Sequence, residues 1–335
     1  MVVQIATLWN ANNYGAYFQA FALGKCIQNE FDIEEVYYLE ECIEKNKISS
    51  CIAKTLKKTI YQFKLRRSFI KSRKCFRTIK KEEKSDVTII GADEVWNVNN
   101  TFFDNIDAYI GKGMNTRVSF AYAPSCNGAS AEDFKSVYGN EPFKNLSCIA
   151  VRDKSTQQMV FDITGCEPKI VLDPTFLLDD YSDMIQEVEY KNYLFVYGYS
   201  FSDLEINNIQ EYAKKHNLKT ISAGVYQGWT DMQIPASPKQ FLGLIKQADF
   251  VVTSTFHGTV FSIIFNKNFV SYARNNKKVM EMLSLFDLDE RNGTVNKKLT
   301  NIFEQSINYD IVNRKIDIQR NISLEYLKGG IIDGD

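Results

Sequence analysis

Short apolar segments rich in β-branched and aromatic residues alternate along the chain with longer segments of helical spacing. The predicted strands are 2–9, 86–92, 117–123, 148–153, 169–173, 192–199, 219–224, 249–255 and 268–273. The predicted helices are 17–29, 203–216, 238–247 and 258–266. Continuously apolar strands that end in polar residues or glycine indicate parallel sheets covered by helices on both faces. The predicted fold class is therefore α/β, with doubly wound, Rossmann-like sheets.

The stretch 173–192 lies between two series of predicted strands. It places a domain boundary near residue 180, so we expect two doubly wound domains, 1–180 and 181–335, facing a cleft. C-terminal helices are expected at 300–328. A single large sheet is the less favoured arrangement for a chain of 335 residues.

Candidate chemistry is expected where strands end, because ligands bind at the carboxyl ends of the strands in such sheets. The strand at 249–255 runs into a helix through residues suited to an anion: Ser254, Thr255, Phe256, His257 and Gly258. Gly258 is expected to permit a tight turn, and the N–H groups of the following helix favour a phosphate or carboxylate. His257 is the candidate for proton transfer, although a lone histidine is more often structural.

Arg152 ends another predicted strand, at 148–153. A guanidinium in that position can bind a carboxylate or phosphate through two parallel hydrogen bonds. The alternative is a structural ion pair with Asp153 or Asp173, and both interpretations stay open.

Two further turns carry polar and aromatic residues. The segment TIIGADEVWN (88–97) delivers Asp93, Glu94 and Trp96 to the end of a strand. Asp93 is suited to accept a proton from a sugar hydroxyl and Trp96 to stack on a sugar ring; equally, Asp93 is suited to cap a helix and Trp96 to fill a core. The N-terminal turn resembles a loop that approaches a ligand, through Asn12, Asn13 and Tyr14.

Taken in order, these turns resemble the sequence blocks of the polysaccharide pyruvyltransferases. The blocks are NNYGAYFQAFAL, GADEVWN, SFAYAPS, VRDKS with LDPTFLL, and TSTFHGTVFSIIFNKNFV. The resemblance implies a fold like that of the glycosyltransferase-B enzymes, with an acceptor-side domain at 1–180 and a donor-side domain at 181–335. The usual GSDQVWN and YAAS read GADEVWN and YAPS here, which concerns the acceptor side.

The activity implied by the resemblance is transfer of pyruvate from phosphoenolpyruvate onto two hydroxyls of a sugar in a polysaccharide or lipid-linked saccharide precursor, which forms a ketal. His257 is then the acid, and Asp93 is our candidate for the base. The expected donor-binding residues are Arg152, Ser254, Thr255, Phe256, His257 and Gly258. The expected acceptor-binding residues are Asn12, Asn13, Tyr14, Glu94 and Trp96. A nucleotide-sugar-dependent glycosyltransferase and a non-catalytic saccharide-binding protein are the alternatives.

Composition limits which cofactors and binding partners are expected. With two histidines and no CxxC pair among seven cysteines, we expect no metal and no other cofactor beyond the donor substrate. The net charge of −1 gives no reason to expect nucleic acid. Neither a signal peptide nor a bilayer-spanning apolar run is recognisable, so a cytoplasmic protein is expected.

The segment 54–84 departs from this balance. It holds 13 Lys and Arg against two Glu, a local charge of 13 − 2 = +11. Apolar residues at roughly helical spacing predict a helical excursion from the first domain. Two interpretations stay open: a solvated helix, and a peripheral contact with an anionic membrane or lipid phosphate at the inner face of the cytoplasmic membrane.

Overall fold

The computed structural model describes residues 1–42, 51–294 and 297–332, and it confirms the α/β fold class. Every strand pair in it is parallel. Contacts divide the chain into two compact units. Unit 1 comprises Met1–Asn46, Arg73–Asp179 and Asp317–Asp335, and unit 2 comprises Lys47–Ser72 and Asp180–Ile316.

Unit 1 is built on a seven-stranded sheet of order β3-β2-β1-β4-β5-β6-β7. Its strands are β1 (Val2–Ala6), β2 (Glu35–Leu39), β3 (Thr78–Ile79), β4 (Ser85–Ile90), β5 (Thr116–Tyr122), β6 (Ile149–Val151) and β7 (Lys169–Ile170). Its helices include α1 (Tyr14–Phe31), α3 (Ala131–Tyr138) and α4 (Lys154–Thr164). The order reverses between β1 and β4, as it does in doubly wound sheets.

Unit 2 repeats this topology with five strands, in the order β10-β9-β8-β11-β12. The strands are β8 (Tyr193–Tyr197), β9 (Lys219–Ala223), β10 (Met232–Ile234), β11 (Phe250–Thr253) and β12 (Asn268–Ser271). The helices are α2 (Leu56–Ser72), α5 (Asp203–Lys215), α6 (Pro238–Gln247), α7 (Phe256–Ile264), α8 (Lys277–Leu285) and α9 (Leu299–Phe303). Helix α10 (Tyr309–Ile332) is shared between the units, with Asp317 onward in unit 1.

Local sequence explains where the unit 2 helices begin. Ser202 and Ser237 each accept a hydrogen bond from the third residue of the helix, and that residue's side chain bonds back to the cap. Such reciprocal capping satisfies N–H groups that have no partner inside a helix. The central strand β8 is buried throughout, as expected for a parallel strand covered on both faces.

The two units differ from the expected domains in two segments. The break after Asp179 lies one residue from the expected boundary, but α2 groups with unit 2, and the end of α10 groups with unit 1. Tyr61 of α2 donates a hydrogen bond to the Ile234 carbonyl at 3.1 Å. Within α10, Ser323 accepts one from the Leu172 N–H at 3.0 Å. These partners are far away in sequence, so local pattern carries no sign of them.

The basic segment 54–84 is also less uniform than expected. Only its first part is an α-helix, the helix α2. A single 3₁₀ turn at Arg73–Cys75 follows, and the chain then forms the edge strand β3. The prediction of one helical excursion is therefore wrong beyond Ser72, because β3 gains backbone pairing with β2.

Gly91, just after β4, lies in tight contact with the backbone at the end of β5 in the unit 1 sheet. Its φ is +112°, and a Cβ there would lie 2.2 Å from the Tyr122 carbonyl oxygen. We expect Gly91→Ala to lower the free energy of unfolding by about 3 kcal/mol or more. Gly113→Ala is the control, since Gly113 has a φ of +76° with no atom within 4 Å of the added Cβ. It should cost about 1 kcal/mol, and equal losses in urea unfolding would contradict the clash.

Candidate functional site

Except for Arg152, which follows β6, the predicted residues follow strands at which the order of each sheet reverses. In unit 1 the loops after β1 and β4 carry Asn12 and Asp93. In unit 2 the loop after β8 carries Gly198, and the first turn of α7, which follows β11, carries His257. Ligands of doubly wound sheets bind outside the strands at such reversal points. Each unit therefore has one candidate site at the carboxyl edge of its own sheet.

The turn into α7 is organised by hydroxyl groups. Thr255 is the N-cap, and its Oγ1 accepts a hydrogen bond from the Gly258 N–H at 3.0 Å. A Cβ on Gly258 would lie 2.1 Å from Thr253 Oγ1 and 2.6 Å from Thr255 Oγ1. The expected tight turn at Gly258 is wrong, because the helix already begins at Phe256. Glycine is required here for the close approach of two hydroxyls.

His257 lies in the first turn of α7. Its residue surface is 9% exposed, and its ring meets that of Phe256 edge to face, with centroids 5.1 Å apart. Ser254, which precedes the cap, has its hydroxyl against Gly198: a Cβ on that glycine would lie 2.3 Å from Ser254 Oγ. The candidate residues Ser254 and His257 therefore both lie at the amino end of α7, which is the positive end of the helix dipole.

Arg274, which sequence reasoning missed, follows β12 at this same edge of unit 2. Its Nη2 donates to Glu205 Oε2 at 2.6 Å and to the Ser200 carbonyl at 2.9 Å. Glu205 is 2% exposed, whereas the Arg274 side chain is 42% exposed. The guanidinium is therefore held in place yet open to solvent. The signal was present in the sequence, because Arg274 follows the end of a strand as Arg152 does.

Arg152 lies in a buried group of charges in unit 1. Its Nη1 donates to Asp173 Oδ2 at 2.7 Å, and its Nη2 lies 3.5 Å from Asp93 Oδ1. Only 4% of the side chain is exposed. Burial alone would lower the pKa of Arg152, but the carboxylates of Asp173 and Asp93 reverse this and raise it. Of the two interpretations of Arg152, the ion pair with Asp173 is present.

Asp153, beside Arg152, is saturated with hydrogen bonds. It caps α4 through the Thr156 N–H, and it accepts bonds from the hydroxyls of Ser125, Ser155 and Thr156 at 2.6–2.7 Å. Burial raises its pKa, but these hydrogen bonds and the positive charge of Arg152 together outweigh burial and leave the pKa lowered. Because the folded pKa is depressed, this carboxylate stabilises the fold above its unfolded pKa, and the contribution is lost as the pH falls through the folded value.

Asp93 and Glu94 remain accessible at the edge of unit 1. Asp93 has a φ of 66°, and 15% of its side chain is exposed. It caps none of the described helices; its backbone pairs instead with Pro124 in an isolated bridge. Glu94 accepts a hydrogen bond from Asn97 Nδ2 at 3.0 Å. A partly exposed carboxylate is accessible to a hydroxyl group and can accept its proton.

Two predicted acceptor-binding residues are corrected by the structure. Trp96 is 0% exposed, its Nε1 donates to the Tyr109 carbonyl at 2.7 Å, and its ring packs against Phe134 and Phe143. Tyr14 is 1% exposed in the first turn of α1. Neither side chain presents a face to a ligand, since both fill the core of unit 1.

The predicted acceptor residues Asn12 and Asn13 are partly exposed, and both accept hydrogen bonds within unit 1. Asn13 caps α1 by accepting the Ala16 N–H at 3.1 Å. Asn12 and Asn10 both accept hydrogen bonds from the guanidinium of Arg73. Sequence reasoning missed Arg73 at this position, because it was counted only as one charge of the basic segment.

Three further features of the described residues concern other kinds of site. No group of three or more His, Cys, Asp or Glu among them could hold a metal ion. None of the described helices is long and apolar enough to cross a membrane. A cavity of about 480 Å³ lies at the amino ends of β6 and β7, lined by residues such as Phe143, Ile149 and Pro168. It lies at the opposite edge of the unit 1 sheet from Asp93 and Arg152.

Comparisons with known proteins agree with this architecture. The model of the polysaccharide pyruvyl transferase family matches residues 13–276. No curated protein matches the chain significantly.

Solved structures that resemble the chain include a putative UDP-N-acetylglucosamine 2-epimerase from Listeria monocytogenes, with a TM-score of 0.52 and 9% identity, covering 100% of this chain and 97% of that one. Another is the UDP co-structure of S. aureus MnaA, with a TM-score of 0.51 and 10% identity, covering 99% and 98%. A third is the glycotransferase of kitacinnamycin, with a TM-score of 0.50 and 8% identity, covering 98% of both chains. At these identities the likeness confirms the predicted glycosyltransferase-B-like fold class and no more.

Replacing Arg152 by lysine tests whether the buried charge group stabilises unit 1. An ammonium cannot reproduce the planar contact with two carboxylates, so we expect Arg152→Lys to lower the free energy of unfolding by about 2–3 kcal/mol. Arg274→Lys is the matched control, because Arg274 also pairs with a buried carboxylate but is itself 42% exposed. Its cost should stay within about 1 kcal/mol. Urea unfolding measures both, and a fully stable Arg152→Lys would show that this guanidinium is not needed for the fold.

Proposed function

Because the chain belongs to the polysaccharide pyruvyl transferase family, we propose that it transfers pyruvate from phosphoenolpyruvate onto two hydroxyls of a sugar and so forms a pyruvate ketal. The sugar belongs to a polysaccharide or lipid-linked saccharide precursor. The observation that carries the proposal is the edge of unit 2, where His257 in the first turn of α7 accompanies an oriented, half-exposed guanidinium, Arg274.

The donor brings a carboxylate, a phosphate and a nucleophilic methylene carbon. The N-terminus of α7 and Arg274 suit its negative charge. Ser254, Phe256 and His257 line the donor in this proposal. Thr255 and Gly258 act differently, by fixing the turn through the hydrogen bond between them. No metal or organic cofactor is required, since these groups offset the donor's charge.

His257, as an imidazolium, delivers a proton to the methylene carbon and becomes neutral. The adjacent carbon then carries oxocarbenium character, and one sugar hydroxyl attacks it and loses its proton to a base. The bond from this carbon to the phosphate oxygen breaks, and phosphate leaves with the electron pair. The second hydroxyl closes the ketal and loses its own proton. Of the two hydroxyl protons, one replaces the proton that His257 gave to the new methyl group and the other leaves with phosphate.

Asp93 is the proposed base on the acceptor side, with Glu94, Asn12 and Asn13 as acceptor contacts. Its carboxylate lies near Arg152 Nη2, which orients it. Arg152 is implied by the family resemblance as a donor ligand. Its guanidinium already meets the carboxylates of Asp173 and Asp93, so we assign to it the orientation of Asp93 rather than the binding of the donor.

A lipid-linked saccharide is the acceptor we favour, modified at the inner face of the cytoplasmic membrane. Support comes from the six basic residues of α2, a helix without a single acidic residue. Incubation with phosphoenolpyruvate and matched free and lipid-linked saccharides, followed by mass spectrometry, identifies the acceptor. Modification of the free saccharides alone would refute the lipid linkage.

His257→Gln is expected to fold normally and to lose turnover by roughly 10²–10⁴-fold, because it removes the proton donor and little volume. Donor binding should be largely retained. His216→Gln is the control: His216 is the second of two histidines and is exposed at the end of α5. It should be as active as the wild type. Near-normal turnover of His257→Gln in a phosphate-release assay would exclude the acid role.

Donor identity is tested by thermal unfolding. We expect phosphoenolpyruvate to raise the melting temperature and UDP- or GDP-sugars to leave it unchanged, because binding to the folded state alone stabilises it. Arg274→Gln should shrink the shift by removing a cation from the donor's phosphate or carboxylate. A chelator should change neither the shift nor turnover. Stabilisation by a nucleotide sugar, with activity restored by Mg²⁺ or Mn²⁺ after chelation, would favour a glycosyltransferase instead.

A further inference from the structure

Helix α2 has two separate apolar faces, of which one is used within unit 2. Tyr61, Leu65 and Phe69 are buried and recur every four residues, so they lie on one side of the helix. The Tyr61 hydroxyl bonds the Ile234 carbonyl, and its ring meets Tyr226 edge to face at 5.4 Å. Ser68, on the same side, donates to the Ala236 carbonyl at 3.3 Å. This inner face holds the helix on unit 2.

The second apolar face points away from the first and is exposed. Leu56, Ile60, Phe63 and Ile70 are 76%, 46%, 43% and 49% exposed. At about 100° per residue, these four side chains fall within an arc of roughly 80° opposite the inner face. Four large apolar side chains on one surface strip of a helix are more than scattered surface residues, and such strips mark interaction sites.

Four of the basic residues of α2 lie along one border of this strip or within it. Lys57, Lys64 and Lys71 recur every seven residues and so form one row along its border. Arg67 lies inside the strip. Together with Leu56, Ile60, Phe63 and Ile70, these four cations define what we call the outer face. No acidic residue of α2 offsets them.

We propose that the outer face of α2 docks on an anionic lipid surface, with its apolar side chains inserted among the acyl chains and its lysines on the phosphates. An apolar strip bordered by lysines is the composition of helices that lie in the membrane interface. Nucleic acid would match the cations but leave the apolar strip in contact with water. Long lysine side chains reach headgroup phosphates while their methylenes stay on apolar surface.

The outer face is narrower than the basic segment as a whole. Arg73 does not belong to it, because its guanidinium binds Asn10 and Asn12 in unit 1. Lys80, Lys81 and Lys84 lie beyond the helix and are exposed. Net charge alone would make every basic residue of 54–84 equivalent, whereas a docking face makes the position of each charge decisive.

Vesicle sedimentation separates these two cases. The triple variant Lys57→Gln, Lys64→Gln and Lys71→Gln should bind phosphatidylglycerol-containing vesicles more weakly than the wild type, by on the order of tenfold. The control Lys80→Gln, Lys81→Gln and Lys84→Gln removes the same charge from the same segment. It should bind within about twofold of the wild type, because none of these three lysines belongs to the outer face of α2. Binding should weaken with salt and be absent on phosphatidylcholine alone.

Insertion is measured directly with a tryptophan probe. Phe63→Trp should be quenched by vesicles of brominated phosphatidylglycerol. Phe161→Trp is the matched control: Phe161 also lies on a helix, α4, and is 46% exposed against 43% for Phe63. It should not be quenched, and neither should the native tryptophans, which the unmodified protein reports.

Any of three outcomes would overturn the proposal. These are equal loss of binding in the two lysine variants, equal quenching of the two tryptophan probes, and a wild type that does not bind anionic vesicles. The inference goes beyond the proposed chemistry and does not need it. Vesicle binding without pyruvyl transfer would refute the proposed function but not the docking face. Turnover on a soluble saccharide without vesicle binding would refute the docking face but not the proposed function. Melting temperatures of all variants, whose altered side chains are exposed, confirm that each is folded.

Discussion

Parallel strand pairing is the constraint on which the rest of this structure depends. Because every strand pair described is parallel, each connection returns the chain to the amino edge, and each loop that follows a strand lies at the carboxyl edge. Residues distant in sequence therefore share an edge without any local signal. In unit 2 this rule brings Ser200 and Arg274 into hydrogen-bonding contact. In unit 1 it brings Asp93 to within 3.5 Å of Arg152.

The same constraint explains which part of the fold and site was readable from sequence. Strands buried on both faces are continuous apolar runs, so β1, β8 and β11 could be recognised, and the residues after them were placed at the correct edge. The strands β2, β3 and β10 are short or mix exposed and buried positions, and they were missed. Edge strands owe their existence to a neighbour's backbone, which composition does not report.

Side-chain direction was the harder problem. Trp96 and Tyr14 follow strands, as ligand-binding residues do, yet both turn into the core. Sequence position fixes the edge at which a residue lies but leaves open whether its side chain faces solvent or core. The destination of α2 was hidden for a related reason. The many charges of α2 indicate a solvated surface. The three buried residues that attach it to unit 2, Tyr61, Leu65 and Phe69, have the spacing of any amphipathic helix, so they do not indicate which unit the helix packs against.

The two candidate edges differ in the sign of their charge, and this difference supports the division of labour that we propose. In unit 1 one guanidinium, Arg152, lies among the carboxylates of Asp93, Asp153 and Asp173. An edge with more carboxylates than cations repels a phosphate dianion but favours hydroxyl donors and a developing positive centre. In unit 2 Arg274 is followed closely by Lys277 and Lys278, and helix α7 adds the positive end of its dipole. Arg274 forms an ion pair with Glu205, but its exposed side can still approach an anion. The charge of Arg152, by contrast, is already balanced by carboxylates. We therefore propose that unit 2 recognises the donor by charge and that unit 1 accepts the hydroxyl proton, each at the edge where its own sheet reverses strand order.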